Sequence, residues 1–277
     1  MFEVSDSERL LAEAAGLITR RDAEILLAHA WSMTRSQLLA RDGEPVPAAV
    51  IARFTDLCAR RARGSPVAYL LGRREFWSLD FEVNAAVLVP RPETELLVQR
   101  ALDHIGTRAA RVVDLGTGSG AIAIALAHER VNWQVTGTDL SADALAVARR
   151  NGERLAPGRI EWLQGDWLEP LAGRRFDAIV SNPPYIAADD PVLDQDGLAH
   201  EPRAALTPEG DGSAALATLI NGSPDHLAAG GWLALEHGNS QGEWSRAALV
   251  ARGFTHVTSH RDLAGHERVT EATWPKR

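Results

Sequence analysis

Val112-Val113-Asp114-Leu115-Gly116-Thr117-Gly118-Ser119-Gly120, followed by Ala121-Ile122-Ala123-Ile124-Ala125-Leu126-Ala127, is the stretch that decides the fold. Val112 to Leu115 is a short apolar run ended by glycine, which reads as a buried strand. Gly120 to Ala127 reads as a helix. The glycines between them permit positive φ and let a ligand approach the backbone. The helix start offers unpaired N–H groups to that ligand.

Outward from this stretch, strands and helices alternate. Trp133 to Thr138 reads as a strand, and Ser141 to Arg150 as a helix capped by Ser141. Ile160 to Leu163 and Phe176 to Val180 read as further strands. Gly212 to Ala228 contains a helix, Trp232 to Glu236 is a strand, and Gln241 to Val250 is a helix. The pattern predicts βαβ units: a doubly wound, mostly parallel sheet with helices on both faces. Phe254 to Ser259 and Val269 to Trp274 have no helix between them, so they are expected to pair antiparallel at one edge. No internal repeat is visible.

The first third is different. Thr19 with Asp22 resembles a capping box. Ala23, Leu26, Leu27, Ala30 and Trp31 then share one helical face. Pro47 to about Arg63 reads as a second helix, with Val50, Phe54 and Leu57 as its stripe. Cys58 falls in that stripe and reads as core, and Arg60, Arg61 and Arg63 as a solvated helix end. Glu75 to Val83 reads as a β-hairpin turning at Ser78-Leu79-Asp80. Asn84 to Arg91 is a link stiffened by Pro90 and Pro92, and Glu93 to Ile105 is a helix. The expected division is a helical N-terminal domain over residues 1–72, a hairpin and linker over 73–91, and an α/β domain over 92–277.

Composition narrows the class. The chain has 277 residues, 45% hydrophobic and 24% charged, enough for a full core without staples. Its single cysteine forbids an intrachain disulfide. Acidic residues within the first ten positions do not fit a signal peptide, and the longest apolar run is too short to span a bilayer. A cytoplasmic location is expected. Net charge is −8 and the pI about 5.6, which weighs against a duplex-binding protein. The nine histidines show no metal spacing, so no metal is expected.

The glycine pattern is G-x-G-x-G, not the dinucleotide G-x-G-x-x-G. Asp114 would repel a pyrophosphate and suits the ammonium end of an amino acid. Asp139, after the next strand, stands where such folds place a ribose-binding carboxylate. Together these point to S-adenosylmethionine, which has ribose, adenine and an amino-acid tail but no phosphate. Gly116, Thr117, Gly118, Ser119 and Gly120 are expected around it. Asp166 can accept from the adenine amino group, and Trp167 can cover the purine face.

Ser181-Asn182-Pro183-Pro184-Tyr185 follows the fourth strand of the α/β region. Its prolines fix φ and remove two N–H donors, leaving a stiff turn rich in acceptors. The Asn182 side-chain oxygen and a backbone carbonyl can hold both hydrogens of a planar NH₂, while Tyr185 offers a ring face. Accepting both hydrogens favours a pyramidal nitrogen with its lone pair aimed at a methyl carbon. Positioning and electrostatics then supply the catalysis, with no strong base. Asn182, Pro183 and Tyr185 are the expected catalytic residues, and Asn182 also borders the cofactor. Glu236-His237-Gly238, ending a later strand, can border the same pocket.

Asn182 to Tyr185 with Asp114 to Gly120 resembles the signature of amino-directed methyltransferases, a group that includes adenine-N6 and cytosine-N4 nucleic-acid enzymes. Pro66 to Gly72, Arg74 to Trp77, Val89 to Glu95 and Glu201 to Leu206 make nearly the whole chain similar to the release-factor glutamine methyltransferases. The resemblance implies methyl transfer from S-adenosylmethionine to the side-chain amide nitrogen (N5) of the glutamine in the Gly-Gly-Gln motif of bacterial class I peptide chain release factors, leaving S-adenosylhomocysteine. It implies that Asn182, Pro183, Pro184 and Tyr185 hold the glutamine, and that Pro90 to Glu95, Arg91 and Glu93 among them, line the site. It also implies that the N-terminal domain helps dock the release factor, with no membrane and no direct need for nucleic acid. An adenine-N6 or cytosine-N4 nucleic-acid methyltransferase is the alternative with the same chemistry.

Overall fold

The computed structural model describes residues 6–41, 44–195, 197–208 and 210–276. Chain contacts divide it into two compact units. One takes Met1–Arg73 with Asp194–His200, and the other Arg74–Leu193 with Glu201–Arg277.

The first unit carries α1 (Ser7–Ala14), α2 (Arg20–Ala30), α3 (Arg35–Leu39), α4 (Ala48–Ala62) and α5 (Val67–Leu71). The stripe read on α2 is its buried face: Ala23, Leu26 and Leu27 are wholly inaccessible and pack with Val50, Phe54 and Leu57 of α4. Cys58 is buried with them, and burial pushes its thiol up to about 11, so it stays a protonated core residue. Two expectations fail here. Thr19 Oγ1 accepts from Asp22 N at 3.1 Å, but the Asp22 carboxylate does not return to the cap; it takes the Arg61 guanidinium at 2.9 Å. Arg61 is therefore a packed ion pair and not a solvated helix end. The reciprocal capping box lies instead at Thr34 and Gln37, opening α3.

The second unit opens on a hairpin of β1 (Arg73–Phe76) and β2 (Leu79–Glu82). Its turn is Trp77-Ser78, both at positive φ (52° and 57°), one residue earlier and one residue shorter than the Ser78-to-Asp80 turn expected. Two-residue turns of that hand match the twist of paired strands. After the 3₁₀ turn Pro92–Thr94 comes α6 (Glu95–Ile105). Then follow β3 (Ala110–Leu115), α7 (Ala121–Glu129), β4 (Trp133–Asp139), α8 (Ala142–Leu155), β5 (Ile160–Gln164) and β6 (Phe176–Ser181). The chain ends with α9 (Ala214–His226), β7 (Leu227–Glu236), α10 (Gly242–Arg252), β8 (Thr255–Arg261) and β9 (Glu267–Thr273).

The seven strands order as β5-β4-β3-β6-β7-β9-β8. β5, β4, β3, β6 and β7 run parallel, and β9 is antiparallel to both β7 and β8. The expected α/β fold with its antiparallel edge pair is thus present. β3 is the switch point: the chain leaves it toward β4 on one side and returns to β6 on the other. A ligand crevice belongs at the carboxyl ends of the strands there. α7 is buried along its whole apolar length, consistent with a helix packed into the interior. Among the described residues no helix is long and apolar enough to cross a membrane.

Candidate active site

The loop after β3 is folded by its own buried polar groups. Thr117 N donates to Thr138 O at 2.8 Å, and Gly120 N to Thr117 O at 2.9 Å. Gly116, Gly118 and Gly120 all have positive φ (69°, 58° and 83°). Asp114 lies beneath, fully buried: its Oδ2 accepts from Thr117 Oγ1 at 2.6 Å and from Ala123 N at 3.2 Å. Burial pushes its pKa up to about 7 against those two bonds.

At the end of β4, the Asp139 carboxylate accepts from Gly118 N at 2.8 Å and from Ser141 N at 2.9 Å. Burial raises its pKa, and the two backbone bonds oppose the rise. Trp167, at φ 44°, lays its ring against Gly116, where an added Cβ would stand 3.1 Å from the ring. At the end of β6, Ser181 Oγ donates to Leu115 O at 2.6 Å and ties the two central strand ends together. Asn182 Nδ2 donates to Thr94 Oγ1 at 3.1 Å, which leaves Oδ1 as its acceptor for a ligand.

These groups surround one cavity of about 320 Å³ at the carboxyl ends of the strands. Gly116, Thr117, Gly118, Ser119, Asp139, Asp166, Trp167, Asn182, Pro184 and Arg91 line it, as the sequence predicted. Pro90 and Thr94 line it too, within the Pro90-to-Glu95 segment expected there; Ser141, Leu140, Ile122, Val87 and Ala205 also line it and were not foreseen. A second depression, at the amino ends of β3 to β5, is spanned by the Arg174–Glu161 ion pair at 2.6 Å.

Five predicted residues do not line the cavity. Asp114 lies beneath the loop and does not line the cavity: Thr117 Oγ1 and Ala123 N both bond its Oδ2, while its buried Oδ1 has no hydrogen-bond partner. Gly120 is a packing glycine: an added Cβ would stand 3.0 Å from Trp162, whose ring also presses on Gly137 and Gly152. Glu93 is exposed, and its place is taken by the buried Thr94 beside it. Pro183 is buried within the turn. Tyr185 lies below, its hydroxyl 3.4 Å from Glu236 Oε1, and burial drives its pKa upward. Arg91 does line the cavity, but its guanidinium is held at 2.5 Å by Glu201, which also accepts from Val89 N.

Outside the cavity, Gln241 latches the turn. Its Nε2 donates to Tyr185 O at 3.1 Å and Gly212 O at 3.2 Å, and its Oε1 accepts from Gly238 N at 2.9 Å. Gly212 has no room for a Cβ, which would stand against Tyr185 O. His237 is buried and structural: its ring nitrogens meet Gly238 O at 2.8 Å and Thr270 Oγ1 at 2.7 Å. Among the described residues no cluster of His, Cys, Asp and Glu can hold a metal ion.

The lining tests the cofactor. Asp139 and Asp166 are its acids, and the sole cation among the described residues that line it, Arg91, is already paired with Glu201. A pyrophosphate would find two carboxylates and no free positive charge. A nucleoside bearing an amino-acid tail fits that donor set. Sheet order, glycine loop and Asn-Pro-Pro-Tyr turn together define the fold and site of an S-adenosylmethionine-dependent methyltransferase.

Comparison with known proteins carries this further. Residues 4–72 match the family described as the PrmC N-terminal domain, and residues 92–211 the methyltransferase small domain. The chain is 50% identical to the release factor glutamine methyltransferase of Xylella fastidiosa (strain Temecula1), over 96% of this chain and 97% of that protein. It is also 50% identical to the enzyme of that name from Bordetella pertussis, over 91% and 94%. A fold likeness at 20% identity and TM-score 0.54 joins it to the Thermus thermophilus 16S rRNA N2 G1207 methyltransferase, solved with AdoMet and guanosine, over 74% of this chain and 50% of that one. The chain belongs to the release factor glutamine methyltransferase family and is a protein-(glutamine-N5) methyltransferase.

Proposed function

We propose that the cavity binds S-adenosylmethionine and that Asn182 presents to it the glutamine of the Gly-Gly-Gln motif of a bacterial class I release factor. Asp139 would accept the ribose hydroxyls, Trp167 would cover the adenine with Asp166 at its amino group, and the amides of the glycine loop would meet the amino-acid tail. S-adenosylmethionine supplies, when bound, a methyl group made electrophilic by a positive sulfur.

The chain's own part is to make a poor nucleophile competent. An amide nitrogen shares its lone pair with its carbonyl. Asn182 Oδ1 and a carbonyl of the diproline turn accept its two hydrogens and favour the pyramidal form. The rigid turn holds that nitrogen in one place. As the nitrogen gains its new bond it becomes positive, and the hydrogen bonded to Asn182 becomes acidic and leaves to solvent. No strong base is required, and the buried Tyr185, whose pKa is raised, stays neutral beneath the turn.

The observation that carries this reading is the commitment of Asn182 Nδ2 to Thr94, which leaves the oxygen for the ligand. Residues 1–72 would help dock the release factor, nucleic acid would be dispensable, and the reaction would take place in the cytoplasm, where release factors act. Mass spectrometry of a purified release factor, incubated with enzyme and S-adenosylmethionine and no nucleic acid, tests it. One added CH₂ mapped to the Gly-Gly-Gln glutamine is expected. Methyl transfer only to DNA or RNA offered in parallel would overturn it.

A further inference from the structure

Glu201 opens the loop that supplies Pro202, Ala204 and Ala205 to the cavity wall, and its side chain is only 2% exposed. Its Oε2 accepts from Val89 N at 2.9 Å, and its Oε1 takes the Arg91 guanidinium at 2.5 Å. Arg91 lines the cavity, with its side chain 33% exposed. We propose that Glu201 is a positioning residue that holds the Arg91 guanidinium and cancels its charge, and so sets how the cavity ranks a positively charged methyl donor against its neutral product. The inference rests on the reading of the cavity as a site for S-adenosylmethionine given above.

S-adenosylmethionine and S-adenosylhomocysteine share a nucleoside, an ammonium group and a carboxylate. They differ by one methyl group and by the positive charge on sulfur. A charged group in the wall therefore acts on the two ligands differently, while a contact to their shared parts acts on both alike. Arg91 stands on the side where the methyl group must leave. Thr94 N donates to Arg91 O at 3.1 Å, and Thr94 Oγ1 accepts from Asn182 Nδ2 at 3.1 Å. A bare guanidinium there would repel the sulfonium, and also the substrate nitrogen as it turns positive. Arginine does not shed its charge by losing a proton, so the charge must be balanced by a partner.

Glu201 is built to be that partner. Val89 N fixes one oxygen of its carboxylate, which leaves the other for Arg91. An opposite charge at contact distance acts far more strongly in such a half-buried place than in water. With the pair made, the charges left to face a ligand are those of Asp139 and Asp166, both negative. Removing the Glu201 charge alone would set a positive group against the sulfonium. Removing the Arg91 charge alone would add a third negative one. Removing both would return the field close to where it began.

The test is equilibrium titration of the full chain with S-adenosylmethionine and with S-adenosylhomocysteine, at neutral pH and low salt. The variants are Glu201→Gln, Arg91→Met and the two combined, each with its melting temperature. Glu201→Gln keeps an oxygen for Val89 N and removes the charge. The quantity read is the donor's dissociation constant divided by the product's. It is expected to rise by about fivefold or more in Glu201→Gln and to fall by about threefold or more in Arg91→Met. In the double variant it is expected within about twofold of the parent, because the two charges act as a pair. A clasp that only joins the Val89 segment to the Glu201 loop would weaken both ligands in proportion. An unchanged ratio in Glu201→Gln therefore overturns the inference, as does a double variant no nearer the parent than Glu201→Gln is. A parent chain that binds neither ligand overturns the reading of the cavity itself. If Glu201→Gln fails to fold, Arg91→Met decides the question: the fall in its ratio supports the inference, and an unchanged ratio overturns it.

Discussion

On the glycine-loop side of the cavity the polar groups are backbone amides and carboxylates, with Asp139 bonded to Gly118 N and Ser141 N. On the Asn-Pro-Pro-Tyr side Asn182 Oδ1 is a neutral acceptor, with its Nδ2 committed to Thr94 Oγ1. The first side suits hydroxyls and an ammonium group, which are only to be bound. The second suits an amide nitrogen that must become positive as it reacts. Groups whose contact strengthens in the transition state raise kcat, while groups that bind equally throughout act on affinity. The two sides are therefore expected to fail differently.

The largest effect is expected on the acceptor side. Asn182→Ala should lower kcat by on the order of 10²-fold, as loss of a transition-state contact does, with the cofactor dissociation constant nearly unchanged. Equilibrium titration with S-adenosylmethionine beside single-turnover methyl transfer measures both. Asp139→Ala should do the opposite, raising that dissociation constant by about tenfold or more with a smaller loss at saturating cofactor. If both variants lost affinity and rate in equal proportion, the contrast between the two sides would be broken.

A smaller effect concerns stability. Burial pushes Glu236 up to about 7 from its ordinary 4.5. The folded chain then holds a proton more tightly than the unfolded one. Glu236 contributes most to stability below about pH 4.5, and that contribution is lost as pH rises through 7. Glu236→Gln removes the titration. Its melting temperature relative to the parent should rise between pH 5 and pH 8 by at least about 2 °C, the shift expected from roughly 1 kcal/mol in a domain of this size. Asp114, also raised to about 7, is common to both chains and cancels in the difference. A pH-independent difference would mean that Glu236 is ionised throughout.

The sequence disclosed what repeats or sits next to itself. Strand and helix alternation, the positive-φ glycines, Asp139 after β4 and Asn182 after β6 are local patterns with fixed places in a doubly wound sheet. What it hid depends on chain segments far apart. Asn182 finds Thr94 across 88 residues and Arg91 finds Glu201 across 110. Neither partner differs in type from dozens of surface residues. The expected segment Pro90 to Glu95 splits in three dimensions: the 3₁₀ turn buries Thr94 and leaves Glu93 exposed. Asp114 was expected to suit an ammonium group; its burial beneath the loop, with Oδ2 bonded to Thr117 Oγ1 and Ala123 N, was not legible from its position in the sequence. Gly120 could be read as conformational, but its packing against Trp162 needed the third dimension. Thr94 was expected only as one of Pro90 to Glu95, and its bond to Asn182 was not legible in that segment.

The central claim is that a neutral acceptor, turned inward by Thr94, grips the substrate nitrogen. A crystal structure of the chain with S-adenosylhomocysteine and a Gly-Gly-Gln peptide tests it most directly. The account predicts the glutamine NH₂ within hydrogen-bond distance of Asn182 Oδ1, with Asn182 Nδ2 still on Thr94. A glutamine side chain bound with its oxygen toward Asn182, or seated away from the diproline turn, would contradict it.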